Sequence, residues 1–323
     1  MSEIDNPHDK LFGKSLEDSE AMRQFLSLNL PDNVKDKLNL DTLSQEPDYF
    51  VDGKMKDLFS DLIFNVELEN GYKKGYIVNL LEHKSTVKKG VAFQLLKYMV
   101  RIWEKTENKD NLPLIIPIIF YHGQREWNIS RNFSGLMSDN FAWADNLIPD
   151  FEYYIYTFGE LVETIPEMTV PKLKLYIKNL RLTRSNNYNE FMVNLYDYLL
   201  ELYEYVESEG DDEYFEVSIR YILERAESDI IEKDEIIEEV KRILPERSKK
   251  VMTIADELRE EGKKEELANT VCVLLEQKFK DNLSENIKNK IKQADIDTLI
   301  EIRNNIFEIN KLDRVKKILK GNY

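Results

Sequence analysis

The hydrophobic pattern changes its period between residues 61 and 121, and this change restricts the fold more than any other feature of the sequence. From 61 to 68 every second residue is apolar, which is typical of a half-buried β-strand. The pair Asn70-Gly71 favours a tight turn, and residues 75–84 have the pattern of a second strand. The sequence therefore predicts an antiparallel hairpin.

Helical spacing follows the hairpin. Residues 89–105 predict an amphipathic helix, and residues 112–121 are almost all apolar, as in a strand covered on both faces. Pro117 weakens that second prediction because proline cannot donate to a central ladder. The aromatic-rich stretch 151–158 is a further strand candidate. Strand, turn, strand, helix and strand behind an N-terminal helix predict an α/β core.

Helices are expected on both sides of this core. Residues 8–30 show helical turns that are interrupted near Gly13 and ended by Pro31, and after Pro171 the pattern is helical almost throughout. Three of these later helices are expected over 188–209, 213–228 and 230–243. The predicted regions are a core over 1–185, an acidic helical segment over 186–250 and a C-terminal helical module over 251–323.

Charge and composition exclude several classes of protein. The 323 residues carry a formal net charge of −16, which argues against a protein that coats nucleic acid or anionic lipid. Residues 201–240 hold 16 acidic and 3 basic side chains, whereas residues 54–109 hold 11 basic and 7 acidic. No apolar stretch is long enough for a membrane span, and no leader pattern opens the chain, so a cytoplasmic protein without a membrane partner is expected. Cys272, the single cysteine, lies in an apolar helical run and is expected to be a buried thiol.

Glu82 and Lys84 stand two residues apart near the end of the second strand, so they share one face. Asp61 begins the partner strand, and a hairpin can bring it beside this pair. Two carboxylates can hold a hard divalent cation, and a lysine can orient or deprotonate an attacking water. This set favours a metal-dependent nuclease that hydrolyses phosphodiester bonds.

The tripeptide Glu-x-Lys is weak evidence by itself, because it occurs five times in the chain. Only the copy at Glu82 ends an apolar strand, follows an acid on the preceding strand and precedes a locally basic helix. A solvated ion pair remains the alternative for Glu82 and Lys84. For the first acid, Asp61 heads an alternating strand and is preferred over three nearby competitors: Asp48, Asp52 and Asp57.

Several short motifs stand in an ordered series over roughly residues 7–180. They are Pro7-His8-Asp9-Lys10-Leu11-Phe12, Ser60-Asp61-Leu62-Ile63-Phe64, Leu80-Leu81-Glu82-His83-Lys84-Ser85, Leu95-Leu96-Lys97-Tyr98 with Trp103, and Leu112-Pro113 running into Phe120-Tyr121-His122-Gly123 with Trp127. The series resembles the Rpn family of recombination-promoting nucleases, transposase-like proteins of the PD-(D/E)xK superfamily. Two later motifs resemble the helical tail that commonly follows: Met252-Thr253-Ile254-Ala255 and Glu260-Glu261-Gly262-Lys263.

The resemblance implies a restriction-endonuclease-like mixed sheet core with helices, followed by an α-helical C-terminal extension. It implies cleavage of double-stranded DNA with Mg²⁺ or a similar divalent cation such as Mn²⁺ or Ca²⁺. Asp61 and Glu82 would be the metal ligands and Lys84 the basic member. Many relatives carry glutamine at the position of Lys84, so the lysine in this chain favours retained catalysis.

The helix after the second strand supplies further candidates. Gln94 stands where the superfamily often places a polar residue that supports the site or touches the phosphate, and Tyr98 and Arg101 share its face. The alternative is an exposed helix face of mixed polarity. Lys88, Lys89 and Arg101 belong to the basic segment, so together with Gln94 they are candidate DNA contacts.

Structural roles are expected for the histidines. His83 falls on the face opposite to the predicted site, and His122 with Gly123 is expected to form a turn. His8 and Asp9 open the first helix, where Asp9 would cap free N–H groups, although it could instead reach the metal. Core positions are expected for two tryptophans, Trp103 and Trp127.

The leading interpretation is a DNA endonuclease associated with recombination or mobile DNA. One alternative is an inactive nuclease-like scaffold whose helical C-terminal half binds a protein partner. Another is a helical assembly protein whose acidic segment keeps the surface soluble. Apolar stripes in the tail could pack together or against another subunit in a homo-oligomer: Ile287, Ile291, Leu299, Ile302 and Ile306.

Overall fold

The computed structural model describes residues 7–46, 61–69, 74–82, 90–123, 126–137, 143, 146–280 and 283–319, with the backbone alone at 61, 74 and 78–82. The chain divides into two compact units, one ending at Pro245 and the other beginning at Glu246.

A five-stranded mixed sheet forms the centre of the first unit, in the order β1-β2-β3-β4-β5. The strands are β1 (Leu38–Gln45), β2 (Asp61–Leu68), β3 (Lys74–Glu82), β4 (Leu114–Tyr121) and β5 (Tyr154–Thr157). β1, β2 and β3 pair antiparallel, whereas β3, β4 and β5 pair parallel. β3 therefore joins an antiparallel half of the sheet to a parallel half, and the predicted α/β class is confirmed.

Helices pack around this sheet, and after β5 the described chain is helical, with short turns between the helices. Those of the first unit are α1 (Pro7–Leu16), α2 (Ser19–Asn29), α3 (Asp32–Lys35), α4 (Val91–Lys105), α5 (Phe158–Glu163), α6 (Pro171–Leu182), α7 (Tyr188–Glu209), α8 (Asp212–Arg225) and α9 (Lys233–Ile243). Short 3₁₀ turns span Phe133–Leu136, Ile165–Glu167 and Pro245–Arg247. Those of the second unit are α10 (Ser248–Phe279), α11 (Glu285–Gln293), α12 (Ile296–Asn304) and α13 (Leu312–Ile318).

Helix α4 covers one face of the sheet, called here the α4 face. Its apolar side, from Val91 to Ile102, packs in one core with Ile63, Ile119 and Ile155 of three different strands. The helix begins nine residues after the last residue of β3 and runs back to the start of β4, where Trp103 Nε1 donates to the Pro113 carbonyl oxygen at 3.0 Å. The predicted strand–helix–strand order is therefore confirmed.

Aromatic side chains fill the opposite face. Phe120 of β4 is fully buried, with its ring centroid 5.7 Å from that of Phe12 on α1, 5.5 Å from Phe25 on α2 and 5.5 Å from Tyr176 on α6. Helices α7 and α8 pack on α6 and α1, so the first unit has helices on both faces of its sheet. Two covered faces are the reason that β4 is almost wholly apolar.

Several boundaries differ from the sequence prediction for identifiable reasons. The first helical stretch is interrupted after Leu16 rather than near Gly13, because Asp18 caps α2 by accepting from the Glu20 N–H at 2.9 Å. β5 is shorter than predicted, since Thr157 starts α5 through a capping box with Glu160.

Strands β1, β2 and β4 also depart from expectation. β1 was not predicted, because a register irregularity between Asn39 and Ser44 breaks its alternation. β2 is buried on both faces rather than on one. Ile63 is 5% exposed beneath α4, and the adjacent Leu62 and Phe64 are buried on the opposite face of the sheet. Pro117 is accommodated because pairing with β5 begins only at Ile118.

The second unit has its own apolar core. The five apolar residues of the tail stripes are all buried in it, together with Cys272. Lys278 Nζ donates to the carbonyl oxygens of Ile306 at 2.7 Å and Phe307 at 3.0 Å, which ties α10 to the segment after α12. The stripes thus pack together within the chain. In the part of the chain that the structure describes, no helix combines the length and apolar character of a membrane span.

Candidate active site

The pairing register brings positions 61 and 82 to one end and one face of the sheet. Asp61 lies directly opposite Leu80 across the β2–β3 ladder, and Glu82 follows Leu80 by two residues. Directly opposed residues share a face, and a period of two returns the chain to it, so both positions fall on the α4 face. Diagonal neighbours of this kind are about 7–8 Å apart. The antiparallel hairpin is confirmed, and the roles of Asp61 and Glu82 stay a prediction.

Other predicted members of the site lie outside the described residues: Lys84, His83, Lys88, Lys89, and the competing acids Asp48, Asp52 and Asp57. Glu82 is also opposite Tyr121 in the parallel β3–β4 ladder. Residues 83–89, which lie outside the described residues, separate Glu82 from the first turn of α4. The end of the sheet that carries the two acidic positions is therefore formed by β2, β3 and β4 together.

A third acidic residue on the α4 face was not predicted. The Glu46 N–H donates to the Ile63 carbonyl oxygen at 2.8 Å, so Glu46 extends the β1–β2 ladder next to the start of β2. Its Oε1 accepts from Asn65 Nδ2 at 2.7 Å, and Asn65 Oδ1 accepts from Ser44 Oγ at 3.0 Å. The irregular β1 offers no alternation that would have revealed this carboxylate.

Helix α4 presents a different polar face from the one expected. Tyr98 is only 2% exposed and packs in the core, whereas Gln94 and Arg101 are half-buried at the border of the helix. The solvent side is formed by Phe93 and Lys97, whose Nζ lies 4.7 Å from the Phe93 ring centroid. The prediction that Tyr98 shares a polar face with Gln94 and Arg101 is wrong, because the wide apolar side of α4 includes it.

Among the side chains that the structure describes, no three His, Cys, Asp or Glu residues come together as a metal-binding group. The carboxylates of Asp61 and Glu82 are not among those side chains. Their backbone positions are nonetheless diagonal neighbours, and carboxylate oxygens are the donors that Mg²⁺ and Ca²⁺ prefer. The donor types and their spacing along the sheet fit a divalent cation.

Two of the three histidines predicted to be structural, His8 and His122, are buried in the first unit. His8 is 8% exposed and His122 is 3% exposed, and their ring centroids are 4.6 Å apart. His8 lies inside the first turn of α1 with Asp9, while His122 directly follows β4. Trp103 and Trp127 are partly buried against the core beneath α4, as expected.

Comparison with known proteins identifies the protein family of this chain. The sequence profile of the family described as "Putative transposase, YhgA-like" matches residues 6–210, more than half of the chain. The chain belongs to this family. No solved structure matches the chain significantly.

The relatives include recombination-promoting nucleases, so the resemblance to the Rpn family is confirmed. The chain is 28% identical over 268 residues to the recombination-promoting nuclease RpnD of Escherichia coli O157:H7, covering 78% of this chain and 94% of RpnD. It is 26% identical over 273 residues to the recombination-promoting nuclease RpnA of E. coli K12, covering 84% and 89%. It is 27% identical over 266 residues to the inactive recombination-promoting nuclease-like protein RpnE of E. coli K12, covering 81% and 84%.

Proposed function

We propose that this chain is a divalent-metal-dependent DNA endonuclease of the PD-(D/E)xK type that acts in recombination or on mobile DNA. The observation that carries the proposal is the β2–β3 register, which makes Asp61 and Glu82 diagonal neighbours on one face. RpnD and RpnA, which cover most of the chain, are named nucleases and support the same activity.

Each proposed site residue has a role that follows from the chemistry of its side chain. The Asp61 and Glu82 carboxylates would hold Mg²⁺ or a similar cation, and Lys84 would orient the attacking water and stabilise the charge that develops on the phosphate. When bound, the cation supplies charge neutralisation at the phosphate and acidifies a water molecule. Lys88, Lys89, Gln94 and Arg101 are the proposed contacts to double-stranded DNA.

Plasmid nicking tests the proposal. Supercoiled DNA is incubated with the full-length chain, with Mg²⁺ or with a chelator, and nicking is expected only with the metal. Asp61→Asn and Glu82→Gln should each reduce nicking to background, because each removes a charged ligand. Glu67→Gln is the matched control, since this exposed acid lies on the same face of β2, six residues further along. Nicking by either site variant at the wild-type rate would refute the assignment.

A second candidate function is a nuclease-like scaffold without catalysis. Its specific support is that RpnE is named inactive although it matches this chain over a similar length. Pure, folded wild-type protein that binds DNA but never nicks it with Mg²⁺, Mn²⁺ or Ca²⁺ would favour the scaffold over the enzyme.

A further inference from the structure

Two helices of the first unit present apolar residues on their outer sides at the same spacing. On α4 these residues are Phe93, Leu96, Val100 and Trp103, and on α7 they are Val193, Tyr196, Leu200 and Tyr203. Leu96, Trp103 and Tyr203 are half-buried, and the others are exposed, up to 70% for Val193. Steps of three, four and three residues place each set along one line of its helix. Adjoining exposed apolar residues of this kind mark a contact surface.

Charged residues run beside each apolar line. α4 carries three basic residues and one acidic residue: Lys97, Arg101, Lys105 and Glu104. α7 carries six acidic residues and no basic one: Glu190, Asp197, Glu201, Glu204, Glu207 and Glu209. Lys97 and Glu204 are both exposed, and each comes four residues after an exposed apolar residue. The two outer faces therefore have matching apolar lines and opposite charge.

The two faces are named by their residues. The α4 outer face consists of Phe93, Leu96, Lys97, Val100 and Trp103. The α7 outer face consists of Val193, Tyr196, Leu200, Tyr203 and Glu204.

The order of residues around each helix determines how the two faces can meet. On both helices the charged residue lies on the same side of the apolar line, because a step of four residues turns about 40° past a full turn. Two such faces bring apolar residues against apolar residues, and charges against charges, only when the helices run antiparallel. The apolar pairs are then Phe93 with Tyr203, Leu96 with Leu200, Val100 with Tyr196 and Trp103 with Val193. Lys97 comes level with α7 between Asp197 and Glu204.

The two outer faces cannot meet within one chain, because the sheet separates them. α4 covers the α4 face, whereas α7 packs on α6, whose Tyr176 lies against Phe120 on the opposite face. A second copy of the chain supplies the complementary surface. Pairing α7 with α7 would set acid against acid, and pairing α4 with α4 would set Lys97 against Lys97. Like charges disfavour both of these pairs, so charge selects the mixed one.

We propose that the α4 outer face of one copy of this chain packs antiparallel on the α7 outer face of a second copy. The contact joins two different surfaces, so it is heterologous, and each end of the resulting pair can add a further copy. Assemblies larger than a dimer are therefore expected. The proposal is independent of the proposed nuclease function.

The size of the contact sets its strength. α4 has 15 residues and is about 22 Å long. One helix pair of this length buries less than the roughly 800 Å² per partner of a standard interface, so we expect a dissociation constant on the order of 10–100 µM.

Sedimentation equilibrium of the full-length chain without DNA measures the contact. Between about 1 and 300 µM, the average mass should rise from one chain to more than two. Lys97→Glu and Glu204→Lys should each weaken association at least about fivefold, and the double variant should return to within about twofold of wild type, because opposite charges face each other again. A wild-type chain that stays monomeric over this range, or a double variant without recovery, would overturn the proposal.

The overall charge of the chain makes Glu204→Lys a stringent test. At a net charge of −16, replacing an acid by a base lowers the repulsion between copies and by itself favours association. Glu209→Lys is the matched control, since it makes the same charge change about 140° around α7 from Glu204 and should not weaken association. Equal weakening by the two variants would count against the α7 outer face.

The apolar line is tested separately. Val193→Ser should weaken association at least about threefold through lost apolar burial. Val273→Ser is its control, because Val273 is 50% exposed on α10 of the second unit. If a charge variant is unfolded, as judged by thermal melting, this pair of variants decides. Association that responds to Val273→Ser and not to Val193→Ser would place the interface in the second unit, and a response confined to the variants of one helix would indicate pairing of that helix with itself; either result overturns the proposal.

Discussion

Replacing the buried Phe120 by alanine should destabilise the first unit more than a comparable change of an exposed residue. Phe120 is fully buried, and three aromatic rings from α1, α2 and α6 lie with centroids 5.5 to 5.7 Å away, within the range of favourable aromatic pairs. Truncating such a side chain costs about 3–5 kcal/mol through lost burial and the cavity left behind. We expect a loss of about 4 kcal/mol in the free energy of unfolding.

Urea unfolding followed by tryptophan fluorescence measures this loss. All three tryptophans precede residue 144, so their emission reports on the first unit rather than the second. Phe93→Ala is the control, because Phe93 is 49% exposed on α4 and its loss should cost about 1 kcal/mol or less. A Phe120→Ala variant that unfolds within about 1 kcal/mol of the control would refute the role given to the aromatic face.

Three further outcomes are expected. Lys84→Gln should slow plasmid nicking without abolishing it, because glutamine keeps a hydrogen-bonding group but loses the positive charge proposed to stabilise the phosphate; complete loss or an unchanged rate would contradict this. A chain ending after Arg247, close to the boundary between the two units, should fold and nick DNA, as judged by circular dichroism and plasmid assay; a folded but inactive truncation would show that the tail completes the site. Burial raises the pKa of the Cys272 thiol, so its reaction with Ellman's reagent at pH 8 should be much slower in the native protein than in urea, and equal rates would be evidence against burial.

The parts of the fold that follow from local rules could be predicted from the sequence. The alternating pattern of residues 61–68 and the Asn-Gly pair in the sequence predicted the antiparallel pairing of β2 and β3, and α7 spans 188–209 as its helical period predicts. β1 escaped prediction because only Leu38 and Leu43 of that strand are buried and a register irregularity separates them. The half-buried strand predicted over 61–68 did not reveal the burial of Ile63, because alternation alone cannot show that α4 covers the second face of β2.

Some residues of the candidate site could be predicted from the sequence, and others could not. Asp61 and Glu82 could be identified because a strand period and a hairpin relate them directly. Glu46 could not be identified, because it follows an irregular strand and joins the β1–β2 ladder only through its backbone hydrogen bond to Ile63. Contacts between distant segments depend on tertiary packing, which no periodicity within one segment encodes.

The contact between α1 and α8 has a consequence for synthesis on the ribosome. His8 receives its hydrogen bond from Arg225, which the ribosome adds 217 residues later. At about 5–20 residues per second, the interval is about 10–40 s. During this time the side chains of Leu11, Phe12 and Leu16, which are fully buried in the finished protein, lack part of their final cover. Nascent chains stalled before residue 225 should therefore be clients of chaperones that bind exposed apolar helices.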